Sequence, residues 1–485
     1  MAEETLKNKT VKGVGWSFAD NILCHGIAFF VSLVLARLLT PEDYGLLAYI
    51  TILISISNSL VNSGFSSALI RKNDVKEEDY NTTFITNLVV SVFLVILLYV
   101  TAPTIANFFE RTELIQLIRL MSWIIVINAL SLVQQTRLRK ILDFKTQTKA
   151  SLISSLISGF VGIGMAFCGC GVWSLVGQQL SRQILYAATL WLLTKWCPHL
   201  QFSLVSFRYL FGFGWKLLIS GLINTIWNEI YQVVIGKCYS PSTLGQYTRA
   251  TQFSNMFSSN LSQVVQKVSY PVLSEIQSDK CRLKSGYQRI IKVTMLVSFI
   301  VMFGLAVIAK PMVLVLIGEQ WLPCVPFLQI ICLQMMLYPL HSLNLNMLQV
   351  QGRSDLFLKL EIIKKIIAIG PLLLGIYINI YWMLGGSVLI GIISYYLNAF
   401  YSGPFLNYSI KEQVKDILPS FLVAVVMAVP IYAMSFILMN PYILLPLQIV
   451  VGAIIAITIC EVAKLPEYLE IKSIAMPIIN KLIKR

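Results

Sequence analysis

Charged side chains are scarce in this sequence. Asp, Glu, Lys and Arg make up 13% of the 485 residues, whereas hydrophobic residues make up 56%. Acidic residues are the scarcer kind, with 23 against 38 basic residues. Together with a mean hydropathy of +0.73, this composition excludes an ordinary soluble globular protein and indicates an integral membrane protein.

Several kinds of functional motif are also missing. The sequence has no Gly-rich phosphate-binding loop, no Ser/His/Asp grouping and no nucleotide site, which argues against the use of ATP. The nine cysteines are scattered without metal-ligand spacing, and the Cys168-Gly169-Cys170 turn is interpreted as structural. The first apolar run begins near Gly13 and is too long for the core of a cleavable signal peptide, so we expect it to remain as a helix.

Long apolar runs recur along the whole chain. A run of about 20 residues can cross a hydrocarbon core about 30 Å thick as a helix, whereas the short alternating pattern of barrel strands is absent. Breaks at charged residues, Pro and Gly predict an all-α integral membrane fold with fourteen spans. These lie near 13–38, 44–70, 80–107, 114–136, 147–168, 171–194, 212–236, 243–271, 288–309, 324–350, 356–378, 381–402, 416–438 and 441–462.

The distribution of Lys and Arg predicts the orientation of the chain. Thirty of the 38 lie in the two terminal tails and in alternate loops. Because cytoplasmic loops of membrane proteins are enriched in Lys and Arg, both termini are predicted to lie in the cytoplasm. The same distribution accounts for the net charge of +15 without a nucleic-acid partner.

The sequence contains an internal repeat. ARLLTPEDYG at 36–45 is matched by GKCYSPSTLG at 236–245, and each is predicted to be an outer hairpin in which Pro stops one helix and Gly eases the turn. Gly-Val-Gly-Trp at 13–16 likewise recurs as Gly-Phe-Gly-Trp at 212–215. Two copies of a six-helix unit are therefore predicted.

The repeat predicts the organisation of the whole chain. An even number of helices per copy gives both copies the same orientation, related by a pseudo-twofold axis along the membrane normal. The predicted parts are one lobe at 1–200, a second lobe at 201–402, and two further helices with a basic tail at 403–485. Parallel repeats with a substrate site at their interface are a transporter design.

Polar residues lie on one face of several predicted helices. An ionised side chain in hydrocarbon costs about 2.5–3.5 kcal/mol on insertion scales, so such residues usually face a bundle interior or a wet cavity. We predict that a central cavity is lined by Arg249, Arg182, Arg119, Lys267, Asn224, Asn228, Asn255 and Gln252. Instead of lining the cavity, each of the Asn and Gln side chains could pack between helices and hydrogen-bond there. The side chains of Arg119 and Lys267 could instead extend to the membrane interface.

Three titratable residues are predicted to couple transport to an ion: Asp20, Glu229 and His25. A carboxylate or imidazole in a partly wet cavity can titrate near the working pH, although His25 has an ordinary packing role as its alternative. The predicted cavity has four basic residues, Arg249, Arg182, Arg119 and Lys267, and two acidic residues, Asp20 and Glu229. A cavity with net positive charge favours a diphosphate or an acidic sugar and repels organic cations.

The hairpin motifs carry a resemblance to a known family. Residues 35–45 read LARLLTPEDYG and residues 240–247 read SPSTLGQY. With the fourteen predicted spans, the parallel repeat and the motif at 13–16, they resemble the Wzx-type polysaccharide exporters of the multidrug/oligosaccharidyl-lipid/polysaccharide superfamily. The resemblance covers essentially the whole chain.

The resemblance implies a flippase of the bacterial inner membrane. Such a protein moves an undecaprenyl-diphosphate-linked oligosaccharide from the inner to the outer leaflet by alternating access, driven by a proton or sodium gradient and without a bound cofactor. It implies that Arg249, Arg182 and Arg119 bind the anionic substrate and that helices 13 and 14 form a groove for the lipid tail. Membrane lipids, a polysaccharide polymerase and its chain-length machinery are the expected partners.

Three other functions stay open at this point. A peptidoglycan-precursor flippase has the same number of helices and a basic interior. A drug or cation antiporter of the same superfamily can use acidic residues such as Asp20 and Glu229, although a basic cavity argues against it. A membrane polymerase or glycosyltransferase usually needs a large extramembrane loop or an acidic metal-binding cluster, and neither is evident.

Overall fold

The computed structural model describes residues 23–483 except 25, 63, 195, 200 and 438, and in this part of the chain all regular structure is helical. The helices are α1 (Gly26–Leu38), α2 (Pro41–Asn62), α3 (Phe65–Arg71), α4 (Glu77–Phe109), α5 (Leu114–Met121), α6 (Trp123–Lys140), α7 (Phe144–Phe167), α8 (Val172–Thr194), α9 (Leu204–Cys238), α10 (Pro241–Glu275), α11 (Lys280–Leu316), α12 (Cys324–Met335), α13 (Tyr338–Val350), α14 (Ser354–Ile367), α15 (Ile369–Tyr377), α16 (Ile380–Ser402), α17 (Ile410–Met434), α18 (Pro441–Val462) and α19 (Pro466–Ile483). The prediction of an all-α membrane protein is confirmed.

Ten helical segments of the described chain are long and apolar enough to cross a membrane. They are Pro41–Arg71, Glu77–Phe109, Leu114–Lys140, Phe144–Phe167, Leu204–Cys238, Lys280–Leu316, Cys324–Val350, Ile380–Leu406, Ile410–Met434 and Pro441–Val462. The other predicted spans coincide with α1, α8, α10 and the α14–α15 pair. Amides and charged residues lower the hydropathy of α8, α10 and α14, so the count of fourteen spans stays a prediction.

The chain divides into two compact units, residues 1–245 and 246–485. Residues within each unit contact one another more than they contact the other unit. The predicted boundaries at 200 and 402 follow the helical repeat instead and stay a prediction.

In the first unit, α7 and α8 form a closely packed hairpin. A Cβ at Gly162 would lie 2.8 Å from the Cβ of Gln178, so only Gly allows this approach of the two helices. The turn between them contains Gly169 and Gly171 with φ angles of 75° and 54°, a region that Gly adopts readily. This packing fixes the orientation of α8, which carries Arg182.

A charged cluster joins α3, α4 and α6 in the same unit. The buried Asp79 carboxylate accepts hydrogen bonds from Lys72 Nζ at 2.7 Å and from the Lys76 backbone N–H at 2.9 Å. Lys140 of α6 donates to the backbone oxygens of Leu69 and Lys72. Because the last carbonyls of a helix have no partner within it, Lys140 caps the end of α3.

The two repeated hairpins contact each other through equivalent residues. A Cβ at Gly45 would overlap the carbonyl oxygen of Pro241, and a Cβ at Gly245 would overlap that of Pro41. Pro41 and Pro241 are each the first residue of a helix, where the missing N–H costs nothing. The prediction that these prolines stop the preceding helix is therefore corrected, because α1 has already ended at Leu38.

The core of the second unit lies between α11, α13, α16 and α17 and is mainly aliphatic and aromatic. Some polar side chains inside this core are hydrogen-bonded across helices. Asn344 Oδ1 accepts from the Tyr287 hydroxyl at 2.8 Å and from the Ser402 hydroxyl at 2.9 Å. Pairing offsets the cost of burying these groups, and it ties α11, α13 and α16 together.

Two helices of the second unit are interrupted near prolines. Pro339 has no N–H to pair with the carbonyl of Met335, and the helix is broken between α12 and α13. The Met335 oxygen accepts instead from the Ser258 hydroxyl of α10, and the Met336 oxygen accepts from the Ser298 hydroxyl of α11, both at 2.7 Å. Hydroxyls from neighbouring helices thus satisfy the carbonyls that the interruption exposes.

The second interruption separates α14 from α15 at Ala368. It lies three residues before Pro371, which cannot donate to the carbonyl of Ile367. The interruption falls near the middle of the segment that the sequence predicts as one span. Discontinuous helices of this kind form substrate and ion sites in many transporters.

Candidate substrate and ion sites

A polar cavity of about 320 Å³ lies between α6, α7 and α8 in the first unit. Its lining residues are Ile124, Ser151, Ser154, Gln179, Arg182, Gln183 and Tyr186. Arg182 is the one charged residue of this lining, and its side chain is exposed. In the described part of the chain its guanidinium has no acidic partner.

The arrangement around Arg182 is suited to an anion. A guanidinium group binds phosphate or carboxylate oxygens through two parallel N–H bonds. The surrounding hydroxyl and amide groups can hydrogen-bond the sugar or phosphate oxygens that such an anion also carries. The predicted role of Arg182 in substrate binding stays a prediction, and the polar cavity is consistent with it.

Glu229 of α9 lies against α2 in the same unit. Its carboxylate accepts hydrogen bonds from Gln232 Nε2 at 2.6 Å and from the Ser55 hydroxyl of α2. Asn224 and Asn228 lie on the same helix with exposed side chains. The structure therefore surrounds the predicted coupling carboxylate with neutral polar groups, which can hold either a proton or a cation there.

Arg249 of α10 is buried in the second unit, with 2% of its surface exposed. Its Nη1 donates to Gln252 Oε1 at 2.8 Å, and the guanidinium carbon lies 5.2 Å from the centre of the Trp321 ring. The structure thus brings two predicted site residues into direct contact. Asn255, one turn further along α10, accepts a hydrogen bond from Ser259 Oγ at 3.3 Å.

The other predicted residues are placed separately. The Arg119 guanidinium on α5 lies 4.4 Å from the centre of the Tyr99 ring of α4, and Arg119 is not part of the lining of the Arg182 cavity. Lys267 is exposed on α10. Asp20 and His25 lie outside the described residues.

An ion pair lies at the exposed end of α9 in the first unit. Lys237 Nζ lies 2.7 Å from Glu110 Oε1, which follows α4. The hydrogen bond from Lys237 lowers the pKa of the Glu110 carboxyl group below its ordinary value. Because both side chains are accessible to solvent, the pair contributes little to stability.

An apolar groove of about 310 Å³ lies in the second unit between α10, α11, α17 and α18. Phe257, Gly304, Met427 and Gly452 are among its lining residues, and Gln448 is the polar one. The amide nitrogen of Gln448 is occupied, because Nε2 donates to Ile431 O and to Ser435 Oγ, both at 2.9 Å. The groove therefore offers mainly hydrocarbon contacts, which suit an acyl or isoprenoid tail. α17 and α18 are the helices for which the family resemblance implies such a role.

Four titratable residues of the second unit lie on two neighbouring helices. Tyr338 and His341 lie on α13, and Glu361 and Lys364 lie on α14. Lys364 lies inside α14, within the span that the sequence predicts near 356–378. The spacing of Glu361 and Lys364 by three residues, followed by Pro371, is the available sequence signal. Within the described residues, no group of three or more His, Cys, Asp or Glu residues could hold a metal ion.

Residues 34–326 match the model of a family described as "Polysaccharide biosynthesis protein". The chain is 30% identical to teichuronic acid biosynthesis protein TuaB of Bacillus subtilis, over 61% of this chain and 62% of TuaB, which is less than two thirds of that relative. It is 27% identical to succinoglycan biosynthesis transport protein ExoT of Rhizobium meliloti, over 68% and 67% of the two chains. It is 22% identical to lipopolysaccharide biosynthesis protein WzxC of Escherichia coli, over 76% of each chain.

Solved structures show the same fold. Lipid II flippase MurJ, in an inward closed conformation, superposes with a TM-score of 0.72 at 17% identity and covers 93% of this chain and 98% of its own. An inward-facing multidrug resistance MATE transporter superposes with a TM-score of 0.60 at 13% identity and covers 79% and 96%. The family model itself matches more than half of the chain. The chain therefore belongs to the polysaccharide biosynthesis protein family.

Proposed function

We propose that this protein is a flippase that moves an undecaprenyl-diphosphate-linked oligosaccharide from the inner to the outer leaflet of the bacterial cytoplasmic membrane. The observation that carries the proposal is the polar cavity in which Arg182 is the one charged residue. A substrate of this class has an anionic, sugar-bearing head and an isoprenoid tail. The apolar groove beside α17 and α18 supports binding of the tail.

The names of the relatives support the same substrate class. They are named for the biosynthesis of teichuronic acid, for the transport of succinoglycan and for the biosynthesis of lipopolysaccharide. These saccharides differ, so we propose a lipid-linked saccharide without specifying its sugars. A polysaccharide polymerase and its chain-length machinery are the proposed partners, because they would use the exported units.

We propose the architecture of fourteen spans, with two six-helix lobes, two additional helices and both termini in the cytoplasm. Helices at the predicted positions support the count, and the concentration of basic residues in alternate loops supports the orientation. Alternating access is proposed as the mechanism. The equivalent contacts of Gly45 with Pro241 and of Gly245 with Pro41 support an underlying repeat.

We propose that the remaining predicted residues act on the substrate or on a coupling ion. Arg249, Arg119 and Lys267 would add positive charge along the transport path, and Asn224, Asn228, Asn255 and Gln252 would hydrogen-bond sugars. Glu229, with Ser55 and Gln232 on its carboxylate, is the proposed coupling group for a proton or sodium gradient. Asp20 and His25 remain proposed members of the same coupling set.

Reconstitution of the purified full chain in proteoliposomes tests the proposal. The probe is a fluorescent undecaprenyl-diphosphate-linked oligosaccharide, and its movement is followed by the fraction that an external quencher can reach. We expect the wild type to equilibrate the probe between leaflets. We expect Arg182→Ala to slow this by roughly tenfold or more, because a charge-assisted bond to an anion contributes about 1.5–3 kcal/mol.

Arg208→Ala is the matched control, because Arg208 is an exposed arginine of the same unit that lies outside the Arg182 cavity. We expect this variant to move the probe at the wild-type rate. Failure of the wild type to move the probe, or wild-type movement by Arg182→Ala, would contradict the proposal. Faster movement of a labelled peptidoglycan precursor or of a cationic dye would favour one of the alternative transport functions instead.

A further inference from the structure

We propose that the second unit binds an anionic phospholipid in a cavity of about 660 Å³ between the end of α16 and the start of α17, the α16–α17 cavity. Its lining includes Tyr396 and Phe400 of α16, Asn407 and Ser409 of the connection, and Lys411 of α17. The volume is in the range of pockets that hold small molecules. The lipid stays bound and is not transported, so the proposal does not depend on the proposed flippase function.

One wall of the α16–α17 cavity is aromatic and faces outward. The rings of Tyr396 and Phe400, one turn apart on α16, are stacked with their centres 6.3 Å apart and an angle of 18° between their planes. The two residues are 55% and 52% exposed. At 1.5 Å per residue, Tyr396 lies about 9 Å from the end of α16 at Ser402. The wall therefore extends from the helix end along the membrane-spanning part of α16, where an acyl chain can lie against the rings.

The other end of the cavity is polar and carries a positive charge. Lys411 is the one charged residue of the lining, and its side chain has no acidic partner in the described part of the chain. The neighbouring acids of α17 are already paired, Glu412 with Lys284 at 3.4 Å and Asp416 with Lys292 at 2.9 Å. The charge of Lys411 is therefore uncompensated and can bind a phosphate group.

The cavity lies between two helices that pack mainly against other helices. α16 packs mainly on α12, α13 and α15, whereas α17 packs mainly on α11 and α18. The two helices make few direct contacts with each other, and the chain between them forms one short turn at Gly403–Leu406. A lipid in this space contacts both helices, so its binding stabilises their packing.

The charge of the lining favours a phospholipid over the proposed transport substrate, although both combine phosphate with an apolar tail. A phosphodiester carries one negative charge, which the single lysine of the lining can balance. A diphosphate carries more negative charge than this lining can balance. In the proposed orientation, the cavity also lies at the cytoplasmic side of the membrane, where basic pockets between transmembrane helices bind anionic head groups.

Native mass spectrometry of the purified full chain tests the site. The protein in neutral detergent is titrated with phosphatidylglycerol or with phosphatidylcholine of the same acyl chains, and the lipid molecules retained by each chain are counted. We expect the wild type to bind phosphatidylglycerol more tightly than phosphatidylcholine. We expect Lys411→Gln to weaken the binding of phosphatidylglycerol by about fivefold, the factor that one lysine contributes near an anionic membrane surface.

Lys359→Gln is the matched control. Lys359 is an exposed lysine of the same unit whose Nζ lies 5.9 Å from the centre of the Tyr401 ring, and it is not part of the lining. This variant should bind phosphatidylglycerol like the wild type, and Lys411→Arg should do so too because it keeps the charge. Unchanged binding in Lys411→Gln, or an equal loss in Lys359→Gln, would overturn the proposal.

Phe400→Ala tests the position of the acyl chain. The variant removes one ring of the stacked pair, so it should weaken the binding of both lipids while the preference for phosphatidylglycerol remains. Because Phe400 is more than half exposed, we expect the fold to be retained. Wild-type binding of both lipids by Phe400→Ala would overturn the proposed site.

The same spectra identify other occupants of the cavity. The fluorescent glycolipid of the transport assay should not displace the bound phosphatidylglycerol, and displacement would assign the cavity to the transport substrate and overturn the proposal. A mass of two chains that disappears in Phe400→Ala would assign the surface to a second copy and overturn it as well. A wild type that binds the phospholipid but moves no glycolipid contradicts only the flippase function.

Thermal unfolding tests the stabilising effect of the lipid. A ligand that binds the folded state raises the unfolding temperature as its concentration increases above the Kd. The wild type should therefore unfold at a higher temperature with phosphatidylglycerol than with phosphatidylcholine, and the difference should be smaller in Lys411→Gln. Equal unfolding temperatures of the wild type in the two lipids would contradict the proposal that the lipid stabilises the packing of α16 and α17.

Discussion

At the scale of single residues, the Asp79 carboxylate depends on one ion pair. Asp79 is 1% exposed, and Lys72 Nζ lies 2.7 Å from it. We predict that Lys72→Met lowers the free energy of unfolding by about 3 kcal/mol, because it leaves a buried charge without its partner. Thermal unfolding in detergent measures this change.

The control for this prediction is the exposed pair of Arg353 and Asp355, which are 2.8 Å apart. The hydrogen bond from Arg353 lowers the pKa of Asp355 to about 2, yet water screens the pair. Arg353→Met should therefore leave the unfolding temperature unchanged. An equal loss of stability in the two variants would show that burial of Asp79 is not what makes Lys72 important.

The arginines show how far sequence reasoning reaches at this scale. Arg182 and Arg249 both lie inside predicted spans, so the sequence predicts the same role for both. The structure places Arg182 in an open polar cavity, whereas Arg249 is buried against Trp321. Helical periodicity gives the face on which a residue lies, but the surface opposite that face depends on residues far away in sequence.

At the scale of elements, the break between α12 and α13 predicts a coupling between two helices. Ser258→Ala removes the hydroxyl that pairs with the Met335 oxygen at 2.7 Å. We predict a loss of about 1–3 kcal/mol in the free energy of unfolding. In a Pro339→Ala background the loss should be smaller, because the alanine introduced there has an N–H that can pair with the same oxygen.

Thermal unfolding of the two single variants and of the double variant measures this coupling. The matched control is Ser259→Ala, the adjacent serine of α10, whose hydroxyl bonds the Asn255 side chain instead. Its effect should be the same in the wild-type and the Pro339→Ala backgrounds. Additive effects of Ser258→Ala and Pro339→Ala would contradict the account of how this break is satisfied.

The helices themselves are largely predictable, and their interruptions are not. The lengths of the apolar runs, together with Pro and Gly at their ends, predict the spans. The ends of most predicted spans agree with the ends of the helices to within several residues. Pro103 and Pro311, however, lie inside helices that continue through them, whereas the helix breaks near Pro339. A proline breaks or merely bends a helix according to which neighbouring groups can pair with the exposed carbonyl, and those neighbours come from other helices.

At the scale of the whole molecule, the repeat is visible in the sequence, but the contact between its copies is not. The matching of residues 36–45 with 236–245 predicts two similar hairpins. Their direct meeting through Gly45 and Gly245 needs the helices to be placed side by side, which no spacing reveals. Residues that match in the two sequence segments then make matching contacts.

This contact predicts a requirement for glycine at both positions. A Leu at Gly45 must displace the Pro241 carbonyl, and by the same relation a Leu at Gly245 must displace that of Pro41. We expect the transport cycle to bring the starts of α2 and α10 together. Either variant should therefore slow transport by about tenfold or more. The glycolipid assay in proteoliposomes measures this rate.

Gly164→Leu is the matched control, because a Cβ at this helical glycine of the first unit would have no atom within 4 Å. It should keep the wild-type rate, and Gly45→Ala should lie between the wild type and Gly45→Leu, since one methyl group requires a smaller displacement. Wild-type transport by Gly45→Leu would mean that this contact need not form for the protein to work. Equal defects in Gly45→Leu and Gly245→Leu would instead show that the two halves of the repeat contribute to one closure, because the displaced carbonyls are equivalent.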